Sequence, residues 1–251
     1  MDFSDVNISV GRQSAGGYKP AVTADDVLAV LDKADITDAL VWHIAQMDCS
    51  PQEGNRLASD IAAASGRLYG CWTILPPQTG EVIQADFFAE MKKHKIIALR
   101  AFPQQHNFLL NRTVFGSFMD EIAERGIPLI LSLEMGMTWQ MIYSILQEYP
   151  ALTCIICDFG CWSQDRHTWP LLENYPNVYI ETSSLSVEAG GIDAMVGKYG
   201  AGRLLFGSGF PKRYIEAAVL DVLHADISDS DKTKIASGNL RELIKTALAL
   251  I

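Results

Sequence analysis

The feature that most constrains this chain is a period. Apolar, strand-like runs begin near residues 5 (DVNISV), 38 (DALVWHI), 67 (RLYGCWTIL), 96 (IIALRAF), 128 (PLILSLEM), 152 (LTCIICDF), 177 (NVYIETSS) and 203 (RLLFGSGF). Their starts lie 33, 29, 29, 32, 24, 25 and 26 residues apart, close to the roughly 30 residues of a βα unit. The segments between them, among them ADDVLAVLDKA, NRLASDIAAAS, VFGSFMDEIAERG and YIEAAVLDVLH, mostly place apolar residues at helical spacing, so each has one face to lay on a sheet. The strands are apolar on both faces, which predicts a parallel sheet covered by helices. Eight such units close most naturally into an α/β fold of the (β/α)8 TIM-barrel type. A doubly wound open sheet is the alternative, but no Gly-rich phosphate turn follows the first strand. A last helical segment, ISDSDKTKIASGNLRELIKTALAL, is expected to start at Ser228 as N-cap, with Asp231 in its first turn. No linker interrupts the pattern, so residues 1–251 are expected to form one domain.

The 251 residues carry a formal charge of −10, and a polyanion needs basic surface, so nucleic acid is excluded as the expected partner. No run approaches the ~20 apolar residues of a membrane span, and residues 1–20 lack the pattern of a secretion signal; a cytoplasmic protein is expected. Five cysteines, an odd number, suit a reducing compartment better than a disulfide framework. Cys154 and Cys157 form a C-x-x-C, but on a strand they point to opposite faces, as buried thiols rather than zinc ligands or a redox pair.

In such a barrel the chemistry sits at the carboxyl ends of the strands. Candidates there are Asn7 and Ser9 on strand 1, His43 on strand 2, Arg100 on strand 4 with His106 in the loop beyond, and Glu134 on strand 5. Strand 6 offers Asp158, strand 7 Glu181 and Ser183, and strand 8 Gly209 with Lys212 just beyond. The loop after strand 6, CWSQDRHTW, adds Trp162, Arg166 and His167, an aromatic beside an arginine that could clamp a flat anion. Cys161 with His167 lacks the third group that a nucleophilic pair requires.

VYIETSSL, GAGRLLFGSGFP and DKTKIASGNLRELI together resemble the end of the amidohydrolase-related family, which includes lactonases and decarboxylases acting on small di- and tricarboxylates. IIALRAFPQQHNF and YPALTCIICDFG are similar to its fourth and sixth strands. The resemblance implies a barrel with His-x-His on strand 1, histidines on strands 5 and 6, and an aspartate ending strand 8 as both metal ligand and general base. This chain has Asn7 and Ser9, Glu134, Asp158 and Gly209 at those places. A catalytic zinc needs about three protein ligands and an open position, and harder ions want six or more oxygens. No metal ligands are therefore assigned and no cofactor is expected, with a weakly bound divalent cation as the alternative.

The expectation is a hydrolase or lyase for a small carboxylate- or lactone-bearing metabolite. Asp158, Glu134 and His106 would be its acid and base, while Arg100, Asn7, Ser9, Trp162, Glu181 and Lys212 would bind substrate. Arg100 either grips a substrate carboxylate or is neutralised by Glu134, Asp158 or Glu181. The alternative is a non-catalytic barrel that binds a small anion or a protein partner. The resemblance alone raises a homodimer.

Overall fold

A computed structural model describes residues 1–12, 19–159, 165–187 and 190–251. Trp162 and Cys161 lie outside them. Eight parallel strands, paired in chain order, form the barrel: β1 (Phe3–Val10), β2 (Ile36–His43), β3 (Leu68–Thr73), β4 (Ile96–Arg100), β5 (Leu129–Ser132), β6 (Cys154–Cys157), β7 (Val178–Glu181) and β8 (Leu204–Leu205). The seam between first and last is closed by Val6 N–H on the Phe206 carbonyl and Ser9 N–H on the Phe210 carbonyl, both 3.0 Å. After the strands come α1 (Ala24–Lys33), α2 (Pro51–Ala63), α3 (Phe87–Lys93), α4 (Ser117–Glu124), α5 (Trp139–Glu148), α6 (Asp165–Asn174), α7 (Gly191–Tyr199) and α8 (Ile215–His224). This is the TIM barrel expected from the period.

Two apolar layers follow from strand alternation. Ile8, Val41, Leu99, Leu131, Ile156 and Ile180 face outward and pack under the helices. Val6, Leu40, Trp42, Ala98, Ile130 and Leu205 face the barrel axis. Cys154 falls in the outer layer and Cys157 in the inner one, as alternation predicts.

The terminal segment is one helical run with an inserted irregularity. Ser228 caps it, accepting from Asp231 N–H (3.1 Å). A π turn at Lys234–Gly238 leads into α9 (Asn239–Leu250) and presents the Ile235 carbonyl to Phe206 N–H (3.0 Å). Leu240, Leu243, Ile244 and Ala247 of α9 join the axial layer. Arg241 ties the helix to Asp38 at the amino end of β2 (3.1 Å), so α9 plugs the end opposite the candidate site.

Two expectations are corrected. The segment VFGSFMDEIAERG is broken at Gly116, whose φ of 50° and ψ of −132° interrupt the helix. Arg166 and His167, read as loop, belong to the first turn of α6, which starts at Asp165, where the helix dipole favours an acid. Among the described residues no helix is long and apolar enough to cross a membrane.

Asn239 donates to the Ala201 and Leu204 carbonyls at 2.8 and 2.7 Å, fastening α9 to β8. Asn239→Ala leaves both acceptors without this donor and should lower stability by about 1–3 kcal/mol, read as a fall in the urea midpoint with an unchanged circular dichroism spectrum.

Candidate active site

Arg100 ends β4 and points to the barrel axis, 1% exposed. One Nη donates to Asn7 Oδ1 at 2.7 Å, and the guanidinium lies 4.8 Å over the Trp42 ring. Among the described residues its Nε and other Nη have no hydrogen-bond partner of ordinary geometry, and the Cys71 thiol is a polar neighbour of the guanidinium. The Asn7 amide faces Asp158 Oδ1 at 3.4 Å, and Ser132 donates to Asp158 Oδ2 at 2.7 Å. Strands β4, β1, β6 and β5 are thereby joined by one chain of side chains, Arg100–Asn7–Asp158–Ser132. Asp158 itself stands just past β6 at φ 51°, a left-handed conformation that Asp tolerates better than most residues.

Two further carboxyls are sealed beside this chain. Asp5 accepts from Asn7 N–H (2.9 Å) and Ser208 N–H (3.2 Å). Burial still pushes its pKa up to about 6, against the lowering effect of those bonds. Glu181 accepts from Ser183 N–H (2.6 Å) and the Ser183 hydroxyl (2.7 Å). Burial first, then the nearby Asp158 charge, raise it to about 8, with Ser183 opposing. A Cβ on Gly207 would lie 2.4 Å from the Glu181 carboxylate, so only glycine admits that acid here. The thiols of Cys71 and Cys157, on the same inner face, are also pushed up by burial, Cys71 to about 12, and are inert.

The structure distributes the remaining candidates more widely than the sequence implied. β5 ends at Ser132, two residues before Glu134, which lies in a 3-10 turn (Leu133–Met135). Glu134 therefore pairs with Lys212 (3.0 Å) and Arg213 (3.6 Å); the carboxyl that senses Asp158 is Glu181. None of the expected ion pairs of Arg100 forms among the described residues; its hydrogen-bond acceptor is the neutral Asn7. The Ser9 hydroxyl is turned to the Phe210 carbonyl at 3.2 Å, in the seam. His106 stands edge-on to Phe102 at 5.7 Å, and Phe102 contacts Trp42 at 5.6 Å. Burial lowers its pKa, opposed by the Gln46 and Met47 backbone. His43 faces away from the axis, its Nδ1 accepting from Ala45 N–H (3.1 Å) against Gly11. His167 stacks on Trp139 at 4.9 Å.

Sequence reasoning missed Ser132 and Asp5. Ser132 was legible, since it shares the parity of Ile130 on a strand whose inner face was assigned. Asp5 was hidden by a register irregularity of β1 between Asp5 and Ile8, which no pattern of apolar residues shows.

At Gly209, a Cβ would meet Arg213 Nη1 and Ser183 Oγ, each at 3.4 Å. A guanidinium and a hydroxyl thus border the place where the resemblance implies a carboxylate. Among the described residues no group of three or more His, Cys, Asp or Glu is arranged to hold a metal ion.

The comparisons with known proteins agree with this architecture. The family model described as "Amidohydrolase" matches residues 14–245. The chain belongs to the amidohydrolase family. No curated protein matches it by sequence. Among solved structures, an uncharacterised TIM-barrel protein from Bordetella bronchiseptica superposes with a TM-score of 0.75 at 16% identity, over 98% of this chain and 99% of that one. A 2,6-dihydroxybenzoate decarboxylase, solved with 2,6-dihydroxybenzoate, gives 0.74 at 14% identity, over 97% and 99%. A probable 2-pyrone-4,6-dicarboxylic acid hydrolase from Acinetobacter baumannii, solved with citric acid, gives 0.72 at 14%, over 98% and 100%. At these identities the likeness establishes the shared amidohydrolase fold.

Glu181 gives a sign-defined pH effect. Its folded pKa, about 8, exceeds the ordinary 4.5, so its contribution is fully present below about pH 4.5 and is lost as pH rises through 8. Glu181→Gln, which keeps an acceptor and removes the charge, should flatten the fall in urea midpoint between pH 5 and 8.5. An unchanged slope would mean that Glu181 ionises as freely folded as unfolded.

Proposed function

We propose that the protein is a hydrolase or lyase that acts on a small carboxylate- or lactone-bearing molecule at the carboxyl end of the barrel, without the divalent ion usual in the family. The observation that carries this reading is Arg100. A buried guanidinium with two nitrogens lacking partners among the described residues is incompletely compensated, and a carboxylate or lactone carbonyl supplies acceptors in the fork geometry that guanidinium favours. The indole face of Trp42 beside it offers a flat wall for an unsaturated body.

Asp158 is the general base in this reading. Ser132 and Asn7 each engage one of its oxygens, which fixes the carboxylate while leaving lone pairs for a water or substrate proton. Glu181, holding its proton to about pH 8, keeps a second negative charge out of the chamber near neutrality. Asn7 couples the two working groups, since its oxygen accepts from Arg100 and its amide faces Asp158.

The family's ion does not suit these donors. Asn7 Oδ1, the oxygen best placed for a cation, already accepts from a guanidinium. Ser9 is committed to Phe210, and Gly209 has no side chain. The named activities of two structural neighbours supply probes, 2,6-dihydroxybenzoate and 2-pyrone-4,6-dicarboxylate. A second reading, a barrel that binds an anion without turning it over, is favoured by the engagement of Glu134 with Lys212 and Arg213, which leaves Asp158 without the acid partner expected for it.

With those two probes, turnover should survive chelator treatment, fall about 10²–10⁴-fold in Asp158→Asn and show a raised KM in Arg100→Lys. Saturable binding without turnover would establish the second reading. Stoichiometric zinc or manganese in protein isolated without chelator would overturn metal independence.

A further inference from the structure

We propose that Lys212 and Arg213, the latter braced by Ser183, form a second anion-binding subsite beside the barrel mouth, and that Glu134 occupies it as an internal stand-in for the carboxylate of a ligand. This deepens the reading of an anionic substrate and rests on it for the idea that the ligand enters from the carboxyl end.

The two cations lie in the segment between β8 and α8 and converge on one carboxylate, Lys212 Nζ on Oε2 at 3.0 Å and Arg213 Nη2 on Oε1 at 3.6 Å. A lysine and an arginine on separate oxygens of one carboxylate is the arrangement by which proteins hold carboxylate ligands. Arg213 is fixed from behind, its Nη1 donating to Ser183 Oγ, and this nitrogen lies 3.4 Å from where a Gly209 Cβ would be. Arg213 is therefore built into the mouth, whereas Glu134 is the detachable partner. The Lys212 and Arg213 side chains are 28% and 30% exposed, the Glu134 side chain 42%. Glu134 sits on a three-residue turn that runs into Gly136 at φ 89°.

Lys212 and Arg213 also border a cavity of about 690 Å³ whose wall includes Phe210, Tyr214, Val30 and Lys19 together with the acids Asp26 and Glu216. That size lies within the range of small-molecule sites, and Tyr214 is 82% exposed, an aromatic face without cover. The ligand the subsite fits is a carboxylate with a flat or apolar body, its acid displacing Glu134 and its body resting in the cavity.

The assignment gives Glu134 a role opposite to that of a catalytic acid. A competing internal carboxylate weakens binding of an external one, so its removal should help. Binding of benzoate and of 2,6-dihydroxybenzoate by calorimetry is the readout, because it does not depend on turnover. Glu134→Gln should bind roughly three- to five-fold more tightly than wild type, the size expected when a partly exposed ion pair no longer competes. Adding Lys212→Met or Arg213→Met to Glu134→Gln should abolish the gain. An unchanged or weakened affinity in Glu134→Gln, or a gain that persists in both double variants, overturns the subsite. If Arg100→Lys instead abolishes binding while the Glu134→Gln gain is absent, Arg100 anchoring stands and this subsite falls. A Glu134→Gln gain with Arg100→Lys unaffected separates them the other way. Loss of kcat in Glu134→Gln with affinity unchanged would identify Glu134 as an acid and end the proposal.

Discussion

Arg100 sits almost wholly out of water, and the effective penalty for burying an ion of that size is several kcal/mol unless neighbours supply dipoles or opposite charge. Among the described residues the structure answers with one hydrogen bond to a neutral amide oxygen and one aromatic face, less than five guanidinium donors can use. The surrounding acids are arranged accordingly. Asp158 is linked through Asn7 rather than touching the guanidinium, and Glu181 and Asp5 are held with raised pKa values by burial. A chamber in which every carboxylate paired with Arg100 would leave nothing for a ligand to satisfy. Here the charge is positioned and its compensation left incomplete, which is the condition for binding an anion strongly in a low-dielectric interior.

That arrangement depends on backbone features far from the guanidinium. Gly207 lets the Glu181 carboxyl lie against strand 8. The irregularity in β1 brings Asp5 and Asn7 into one network, with Asn7 N–H on Asp5 and its side chain on Arg100. The π turn before α9 takes the Phe206 N–H, whose own carbonyl accepts from Val6. The seam of the barrel is thereby satisfied although β8 is only two residues long. Buried backbone groups must find such partners, and meeting that demand at the seam leaves Gly207, Ser208 and Gly209 free to shape the mouth.

The strands and most helices were legible because their signal is periodic burial, which the sequence carries at every element. The inward parity of Arg100 was legible for the same reason, as Ala98, Arg100 and Phe102 share one face. Strand ends were not. Glu134 and Ser132 have the same parity, and only the turn that begins at Leu133 decides which meets Asp158. The partner of Arg100 was also beyond the sequence, since opposite charge suggests an ion pair while the bulge in β1 delivers an amide. The reach of Arg213 was not legible either, because a side chain six bonds long can meet Ser183 or solvent from the same backbone position.

Strand 8 shows how one missing side chain alters the electrostatics of a whole site. An aspartate at position 209 is what the resemblance implies as metal ligand and general base. With glycine, that volume is bordered by Arg213 Nη1 and Ser183 Oγ, and Arg100 already holds the Asn7 oxygen from the opposite side. Two guanidinium groups now approach the region from strand 4 and from beyond strand 8. Coulomb interaction grows as the local dielectric falls, so the buried Arg100, which no carboxylate touches among the described residues, weighs more than Arg213, whose charge is paired with Glu134. An aspartate restored at position 209 alone would meet Arg213 first and form an ion pair. What calls for glycine at position 209 is its backbone, at φ 66°, rather than space, since a Cβ there would sit at van der Waals distance, 3.4 Å, from Arg213 Nη1.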